Sequence, residues 1–498
     1  MKKAMSFLLI VLVLVSISLS GLSATAAELD NTALASDENN NAETIIVPQI
    51  RVTTANGNGT TLQKADDYVD ATITITDTDS TVLTDSIKFK VRGNSTAQPN
   101  ITKKAFTIKF DSKKDVLNMG KAKKWSLLAN TFDPTLMRNY IAFDFAQNMG
   151  LEFTSQQRIV ELYLDDSYRG CYVLTEPVEE GSTRVDIDID SNDGMKDFLV
   201  ELEKDRFESD VSYFTTSNIR FAVKEPEEPN DEQLTYIFTT MDDIMNVIKE
   251  GNQEEISKRI DVPSFTRYYL LNELFKTLDF DYSSVFFYYK DGVLYSGPAW
   301  DYDLAAGNAN PSSSQVSKAS ANPEGLYATD CNIYKYLCSY DWFNDEIRST
   351  YLQYYDYINN ITADGGLIDN LLETYGIVFE RNFSDAGWSP SQWWVYEQLK
   401  PLSTYSDNVK YLSEWLHTRN IWLSRYYNLF DEEYLLGDID EDGGITVVDA
   451  TYIQRHIAKT TILTPSQLDR ADTSKDGEVS VIDATTIQRV VAKITPEL

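Results

Sequence analysis

Two short acidic loops carry the most explicit chemistry in this chain of 498 residues. The first reads DIDEDGGITVVD, from Asp438 to Asp449, and the second reads DTSKDGEVSVID, from Asp472 to Asp483. Each loop has carboxylate or hydroxyl oxygens at positions 1, 3 and 5, a glycine at position 6 and a carboxylate at position 12. Ca²⁺ takes roughly six to eight oxygen ligands around a tight turn, and this spacing supplies them. The two loops therefore predict two calcium sites.

The two loops form an internal duplication, because they start 34 residues apart and are followed by ATYIQRHIAK and ATTIQRVVAK. Position 7 would contribute a backbone carbonyl, and the other ligands would be side chains. The expected first set is Asp438, Asp440, Asp442, Gly444, Thr446 and Asp449, and the second is Asp472, Ser474, Asp476, Glu478, Ser480 and Asp483. A neutral ligand at Ser474 makes the second site the weaker one.

Four further aspartates lie at the ends of predicted elements. Asp279 and Asp281 follow a predicted helix, and Asp301 and Asp303 follow a predicted strand in the turn Trp-Asp-Tyr-Asp. Such carboxylates can act as metal ligands, or as a general base beside a metal ligand, which is how kinases divide the work. The alternative is that these aspartates only form turns.

A local basic cluster stands out against a formal net charge of −33. The segment from residue 88 to 110, KFKVRGNSTAQPNITKKAFTIKF, places Arg92 before a Gly-Asn turn and Lys103, Lys104 and Lys109 after it. Such a cluster is suited to binding a polyphosphate. The alternative is a solvated strand face with ordinary charge pairs.

The composition argues against several classes of protein. With 44 basic and 77 acidic residues, the chain repels nucleic acids and anionic membranes. The scarcity of histidine, with only His417 and His456 in the chain, argues against Ser-His-Asp and Cys-His catalysis and against poly-histidine zinc sites. Cys171, Cys331 and Cys338 are too sparse for a disulfide framework and are expected to be small buried side chains, with the pairing of the last two left open.

The first residues are typical of an export signal. Residues 1–27 contain two early lysines, an apolar run from Phe7 to Leu22, and the small-x-small sequence Ala24-Thr25-Ala26. A membrane anchor is the alternative, although a spanning helix needs about 20 apolar residues. We expect this segment to be removed and the protein to be secreted. Residues 28–45 are polar and acidic, which predicts a flexible linker.

The periodicity of the remaining chain predicts an α+β body. Alternating, β-branched segments predict strands in the first half, which we expect to form one antiparallel sheet: IIVPQIRVTT, YVDATITITD, SIKFKVRG, AFTIKF, WSLLAN, IVELYLDD and GCYVLTE. FLVELEKD is a further predicted strand. After about residue 230 the period lengthens toward ~3.6, which predicts helices in YIFTTMDDIMNVIKEG, FTRYYLLNELFKTL and VKYLSEWLHTRNIWLSRYYNLF. A two-lobed arrangement follows from this division.

Residues 436–495 resemble a type I dockerin. Each repeat is a loop followed by a helix, without an entering helix, and has Asp rather than Glu at position 12. The resemblance implies a small all-α module that calcium folds and that binds a cohesin domain of a scaffoldin in an extracellular, polysaccharide-degrading cellulosome. The similar halves would permit docking in either orientation. In that family the cohesin contacts lie around loop position 12, which here gives Val447, Val448, Thr451, Val481, Ile482 and Thr485.

The body, residues 46–432, resembles the CotH (spore-coat protein H) kinase-like family. The motifs that carry the resemblance occur in order: RGNST, KKAFTIKF, AKKWSLLANTFDPTLMRNYIAF, LYLDDSYRGCYVLTEPVE, FLVELE and GPAWDYDLAAGN. The resemblance implies an atypical protein-kinase fold with a β-rich N-lobe and a helical C-lobe. It also implies ATP and magnesium as cofactors, and a serine or threonine of a protein as the phosphate acceptor.

Family positions assign roles to the charged residues. Lys109 is the candidate phosphate-binding lysine, with Lys104 and Arg92 in support. Asp279 falls at the catalytic position, with Asp281 as the alternative base, and Asp301 or Asp303 falls at the metal-binding position. Kinases hold a second metal with an Asn five residues after the catalytic Asp; counting from Asp279 gives Ser284.

Three functions are therefore open: an exported kinase, a catalytically silent protein of the same fold within the cellulosome, and a carbohydrate-active enzyme. The third would use paired carboxylates and the aromatic segment WSPSQWWVYEQ, residues 388–398. The alternative for that segment is helix-packing core.

Overall fold

The computed structural model describes residues 45–189, 196–389, 402–428, 435–440 and 442–495. Within these ranges, no helix is both long and apolar enough to cross a membrane. The predicted signal segment, nearly all of the predicted linker and most of the aromatic segment 388–398 lie outside the described residues.

Seven strands of the N-terminal part form a closed barrel in the order β1-β2-β3-β4-β5-β7-β6. Alternate side chains such as Ile73, Phe89 and Trp125 point inward and fill its core, as the period-2 pattern predicts. The strands are β1 Gln49–Thr54, β2 Val69–Thr76, β3 Val82–Arg92, β4 Ala105–Asp115, β5 Lys121–Leu128, β6 Gln157–Leu164 and β7 Ser167–Thr175.

The prediction of one antiparallel sheet was wrong, because the seven strands close into a barrel that contains one parallel pairing. β1 pairs in parallel with β6, with Ile50 opposite Leu162, and this pairing closes the barrel. Closure removes both edge strands, whose backbone groups would otherwise be unpaired. The alternation of side chains indicates which face of a strand is buried and not which strands are neighbours. The sequence pattern therefore could not predict the pairing of β1 with β6.

The predicted strand FLVEL belongs to a second, antiparallel sheet of order β12-β11-β8-β10-β9. This sheet packs with helices in a core separate from that of the barrel. Its strands are β8 Phe198–Leu202, β9 Tyr213–Thr216, β10 Ile219–Glu225, β11 Val285–Lys290 and β12 Val293–Ser296.

Helices dominate the second half, and α2, α4 and α9 confirm the three segments predicted to be helical. α2 begins at a capping box in which Asn230 accepts from the Glu232 and Gln233 amides, and it ends at Gly251 with φ 78°. The helices of the body are α1 Arg138–Asn148, α2 Asp231–Glu250, α3 Gln253–Arg259, α4 Val262–Phe275, α5 Gln315–Ala321, α6 Tyr334–Leu337, α7 Asp341–Asn360, α8 Leu367–Ser384 and α9 Tyr405–Tyr426. The chain is thus a mixed α+β protein with a β-rich N-terminal region.

A fully buried ion pair connects α4 to α9. The Arg419 guanidinium bonds to the carboxylate of Glu273 and donates to the carbonyls of Pro323 and Gly325, both at 2.8 Å. The same carboxylate accepts from the backbone N–H of Ala328 at 2.7 Å. The pair therefore fixes the loop after α5 as well as the two helices.

The C-terminal module consists of three short helices, α10 Val447–Ile457, α11 Pro465–Ala471 and α12 Val481–Val491. α10 and α12 pack against each other around a small core that includes Ile453 and Ile487. Both begin with a capping box, at Thr446 and Ser480, so the two repeats have the same local structure. The cysteines, which lie in the body, are buried and free, as expected for small apolar side chains.

The module packs against α9 of the body. Ile421 contacts the small core, Arg425 forms an ion pair with Asp469, and Lys459 lies 3.5 Å from Glu414. The two histidines are also close enough here for the charge of His456 to act on His417. Nδ1 of His456 accepts from the backbone N–H of Leu463 at 3.4 Å.

This contact should weaken in mild acid. Burial lowers the pKa of both histidines below 6.5, and for His417 the neighbouring His456 lowers the pKa further. The unfolded chain therefore binds protons at a higher pH than the folded chain. The contribution of these two neutral histidines to the free energy of unfolding is fully present above about pH 6.5 and is lost as the pH falls below that value. We expect the thermal midpoint of the full chain, in saturating calcium, to fall more between about pH 7.5 and 5.5 than that of His456→Gln. Equal slopes would contradict this expectation.

Candidate functional site

A cleft of about 480 Å³ lies between the barrel and the second sheet. Its walls come from the end of β3 and the turn 93–96 after it, the end of β5, and strands β8 and β10. Asp279, Ser284 and residues of the turn 300–304 also line it. The volume is within the range of about 300–1,000 Å³ found for small-molecule sites.

Three of the four predicted aspartates meet in this cleft: Asp279, Asp301 and Asp303. Burial, then the charge of Asp301, raises the pKa of Asp279 to about 6. Burial also raises the pKa of Asp301, and burial together with the charges of Asp301, Asp133 and Asp279 raises that of Asp303 well above its ordinary value. The three carboxylates therefore repel one another in a poorly hydrated place, which favours binding of a cation.

Helix α1 positions the aspartate turn. Arg138, almost fully buried, is 2.6 Å from Asp133 and donates to the carbonyls of Ala305 and Ala306 at 2.9 and 3.2 Å. Asn139 accepts the backbone N–H of Tyr302 at 2.7 Å. The motif FDPTLMRN thus holds the segment WDYDLAAGN in place, although the two are about 160 residues apart in sequence.

The cleft also contains cations, of which the sequence analysis identified only Arg92. The Arg92 guanidinium lies over the Trp300 ring at 5.4 Å, and its charge acts on Asp301. The cations that were missed are Lys64, Lys90, Arg206 and Lys224. Lys90 lies two residues before Arg92 in the basic segment 88–110, whereas Lys64, Arg206 and Lys224 come from separate segments. Lys224 is 3.2 Å from Glu201 on the neighbouring strand. No pattern in the sequence could have grouped these three with Arg92.

The structure does not bring Lys104 or Lys109 to the cleft. The ammonium of Lys104 donates to the carbonyls of Ala97 and Gln98, and so fixes the loop before β4. Lys109 alternates with the inward-facing Ile108 and Phe110, so it lies on the outside of the barrel, 5.7 Å from the Tyr68 ring.

Two further charged residues from the predicted motifs have structural contacts away from the cleft. Asp281 accepts the backbone N–H of Asn332 at 2.6 Å and lies 3.2 Å from Lys204. Lys103 is buried and donates to the carbonyls of Ala129 and Cys171 and to the Asn382 side chain, at 2.7–2.8 Å. Burial lowers the pKa of Lys103 to about 7.

The first acidic loop of the C-terminal module is the tighter metal-ligand cluster. Carboxylate oxygens of Asp438, Asp440 and Asp442 lie within 4.8 Å of one another, the only such trio among the described residues. The neighbouring charges of Asp449, Asp442 and Asp438 add to burial in raising the pKa of Asp440. Asp449 is buried and accepts the backbone N–H groups of Ile439 and Thr446, both at 2.7 Å. These hard oxygen donors fit Ca²⁺.

The second loop repeats this geometry with one carboxylate fewer. Asp483 accepts the backbone N–H groups of Ser474 and Ser480 at 2.9 and 2.8 Å. Asp472 accepts from the N–H of Gly477 at 2.9 Å, and the Ser474 hydroxyl donates to Asp472 at 3.4 Å. The corresponding turns support a second ligand set of the same kind, with Ser474 as its neutral member.

The predicted cohesin-contact residues are all solvent-exposed at the starts of α10 and α12. Val447, Val448, Val481 and Ile482 are 47–64% exposed, which is unusual for such apolar side chains. Thr451 and Thr485 lie one turn further along the same two helices and are also exposed.

The mixed α+β body with an acidic cleft, followed by paired calcium loops, defines a two-part protein with one candidate catalytic cleft and one metal-binding module. The model of the family described as "CotH kinase protein" matches residues 89–423, about two thirds of the chain. The chain belongs to this family, which implies a kinase-like fold. The type I dockerin domain matches residues 436–492. No curated protein matches this sequence.

Both family resemblances are thereby confirmed. A type I dockerin domain binds calcium and implies docking to a cohesin domain of a scaffoldin, and hence association with a cellulosome-type assembly. Of the aromatic segment 388–398, Trp388 and Ser389 lie within the described residues, and the Trp388 indole donates to the Arg169 carbonyl at 2.8 Å.

Removal of calcium should unfold the C-terminal module and spare the body. The loop carboxylates would repel one another without the ion, and metal binding supplies folding free energy to so small a module. We expect a chelator to make residues 436–495 of the full chain sensitive to limited proteolysis while the body resists. Asp438→Ala should raise the calcium concentration needed for protection more than Ser474→Ala does. Protection that persists without calcium would contradict the prediction.

Proposed function

We propose that the body transfers a phosphoryl group from ATP to a serine or threonine of a protein, and that the dockerin attaches this activity to an extracellular scaffoldin. The observation that supports the proposal best is the convergence of Asp279, Asp301 and Asp303 with the cleft cations in one cavity of about 480 Å³. Phosphoryl transfer depends on charge stabilisation and positioning, and this cleft offers groups of both signs.

The carboxylates of the cleft fit a magnesium ion that also binds the nucleotide. Mg²⁺ in such sites usually has one or two carboxylate ligands and completes its shell with phosphate oxygens and water. Asp301 and Asp303 would hold the ion, which neutralises phosphate charge when bound.

The remaining residues of the cleft take complementary roles in this proposal. Asp279 would orient the acceptor hydroxyl and accept its proton; among the described residues, no side chain donates a hydrogen bond to its carboxylate. Arg92 and Lys90 would contact phosphate oxygens from the end of β3. This assignment gives them the role predicted for Lys109 from the sequence, because Lys109 is not among the residues that line the cavity.

A catalytically silent protein of the same fold is the second candidate. It is favoured by Ser284, which stands where kinases have the Asn that binds the second metal. In that case the body would bind ligands or partners within the cellulosome without chemistry. Secretion through the predicted signal at residues 1–27 is part of either proposal.

Asp301→Asn should remove phosphoryl transfer with little effect on folding. The loss of one metal ligand costs several kcal/mol in the transition state, so we expect at least about a hundredfold lower rate. The measurement is transfer of γ-labelled phosphate to protein substrates, with nucleotide-dependent thermal shift in magnesium. Asp291→Asn, an exposed aspartate in the β11–β12 turn, is the matched control.

Asp281→Asn distinguishes the two candidate bases, and it should retain activity if Asp279 accepts the proton. A wild-type chain without magnesium-dependent nucleotide binding would overturn the kinase proposal and favour the silent protein. Release of sugars from plant polysaccharides in a parallel screen would instead favour a carbohydrate-active enzyme.

The two exposed patches of the dockerin should each be sufficient for cohesin binding. We propose that Val447, Val448 and Thr451 form one patch and Val481, Ile482 and Thr485 the other. A buried charge would block docking through either patch, so Val448→Asp alone should leave binding measurable, and Val448→Asp with Ile482→Asp should abolish it. Ile494→Asp, at an exposed residue outside both patches, is the control. Complete loss in the single variant would contradict two equivalent patches.

A further inference from the structure

Ser284 and Asp301 share an unusual backbone conformation and touch each other in the cleft. Ser284 has φ 62° and Asp301 has φ 67°, both in the left-handed region that non-glycine residues rarely adopt. The Ser284 hydroxyl donates to Oδ2 of Asp301 at 3.1 Å. Strained residues that are held in place by their surroundings tend to occur at functional sites.

The backbone of Ser284 is held by a second carboxylate. Its N–H donates to Oε1 of Glu201 at 3.1 Å, and Oε2 of Glu201 is 3.2 Å from the Lys224 ammonium. One serine therefore links two acidic side chains that line the same cavity. The sequence of contacts runs from Lys224 through Glu201 and Ser284 to Asp301.

This arrangement leaves one carboxylate oxygen of Asp301, Oδ1, able to bind a cation. Within the described residues, Oδ2 accepts from Ser284, and Oδ1 accepts no hydrogen bond. A carboxylate fixed through one oxygen presents the other in a defined direction, as happens when a hydrogen-bond partner orients a metal ligand.

We propose that Ser284 is a positioning residue that orients Asp301 as a cation ligand; this inference rests on the proposed function. The Asn at the equivalent kinase position binds metal directly. Here the shorter side chain acts through Asp301 instead. Glu201 and Lys224 support Ser284 by holding its backbone.

The test compares three replacements of Ser284 in the full chain. Ser284→Ala and Ser284→Gly both remove the hydroxyl donor. Glycine also relieves the strain at positive φ, so this variant keeps the test valid if the alanine variant fails to fold. Ser284→Asn restores a donor and tolerates the left-handed conformation. Ser296→Ala is the matched control, because this buried hydroxyl lies on β12 and bonds to Tyr334.

The probe is Mn²⁺ with ATP, titrated in saturating calcium so that the dockerin loops stay loaded. Binding that is lost in Asp301→Asn defines the cleft signal. We expect Ser284→Ala and Ser284→Gly to weaken Mn²⁺ affinity by about 10-fold or more, as the loss of a hydrogen bond to a metal ligand does. Ser284→Asn should recover most of that affinity, and Ser296→Ala should not change it.

The outcomes separate this inference from the proposed function. Unchanged Mn²⁺ affinity in both hydroxyl-free variants, with an intact Asp301-dependent signal in the wild type, would overturn the role of Ser284 alone. Absence of any Asp301-dependent signal in the wild type would overturn the proposed function and this inference together. A loss of thermal stability in Ser284→Ala without a change in Mn²⁺ affinity would assign Ser284 a structural role only.

Discussion

Repulsion between carboxylates that the fold holds together is the constraint on which both sites of this protein depend. In the cleft, burial raises the pKa values of Asp279, Asp301 and Asp303, and the charges of neighbouring aspartates raise those of Asp279 and Asp303 further. In the C-terminal module, a short loop holds carboxylate oxygens of Asp438, Asp440 and Asp442 within 4.8 Å of one another. A chain with a net charge of −33 cannot relieve this repulsion everywhere with its own cations. Both sites are therefore suited to divalent ions.

Holding such groups in place requires a rigid frame, and buried ion pairs provide much of it. Arg138 and Asp133 tie α1 to the turn after Asp303, and Arg419 and Glu273 tie α4 to α9. Removing one member of such a pair is destabilising by about 3–5 kcal/mol, because the other is left as an uncompensated buried charge. The frame thus depends on contacts between segments distant in sequence, such as Arg138 with Ala305 and Arg419 with Glu273, whereas the calcium loops need only local hydrogen bonds.

The two parts of the protein differ in how far the sequence could specify their sites. The dockerin ligands lie within two segments of twelve residues, so their spacing alone indicates the ion. In the cleft, the motif around Asp301 was recognisable, but of the cations only Arg92 was. Lys64, Lys90, Arg206 and Lys224 lie on different strands and loops, and only the folded sheets bring them to one cavity. The contact between the dockerin and α9 could not be predicted from the sequence either, because it joins residues from separate elements, Arg425 and Asp469.

The sequence by itself determined the α+β class, both family memberships, the calcium loops and most strand and helix segments, because these follow from local periodicity and motif spacing. The tertiary structure decided the closed barrel, through the pairing of β1 with β6. It also placed Lys104 and Lys109 away from the cavity. The physical reason is that strand partners and cavity walls are set by contacts between distant residues. A local pattern specifies which side of a strand is buried, and not what lies on the other side.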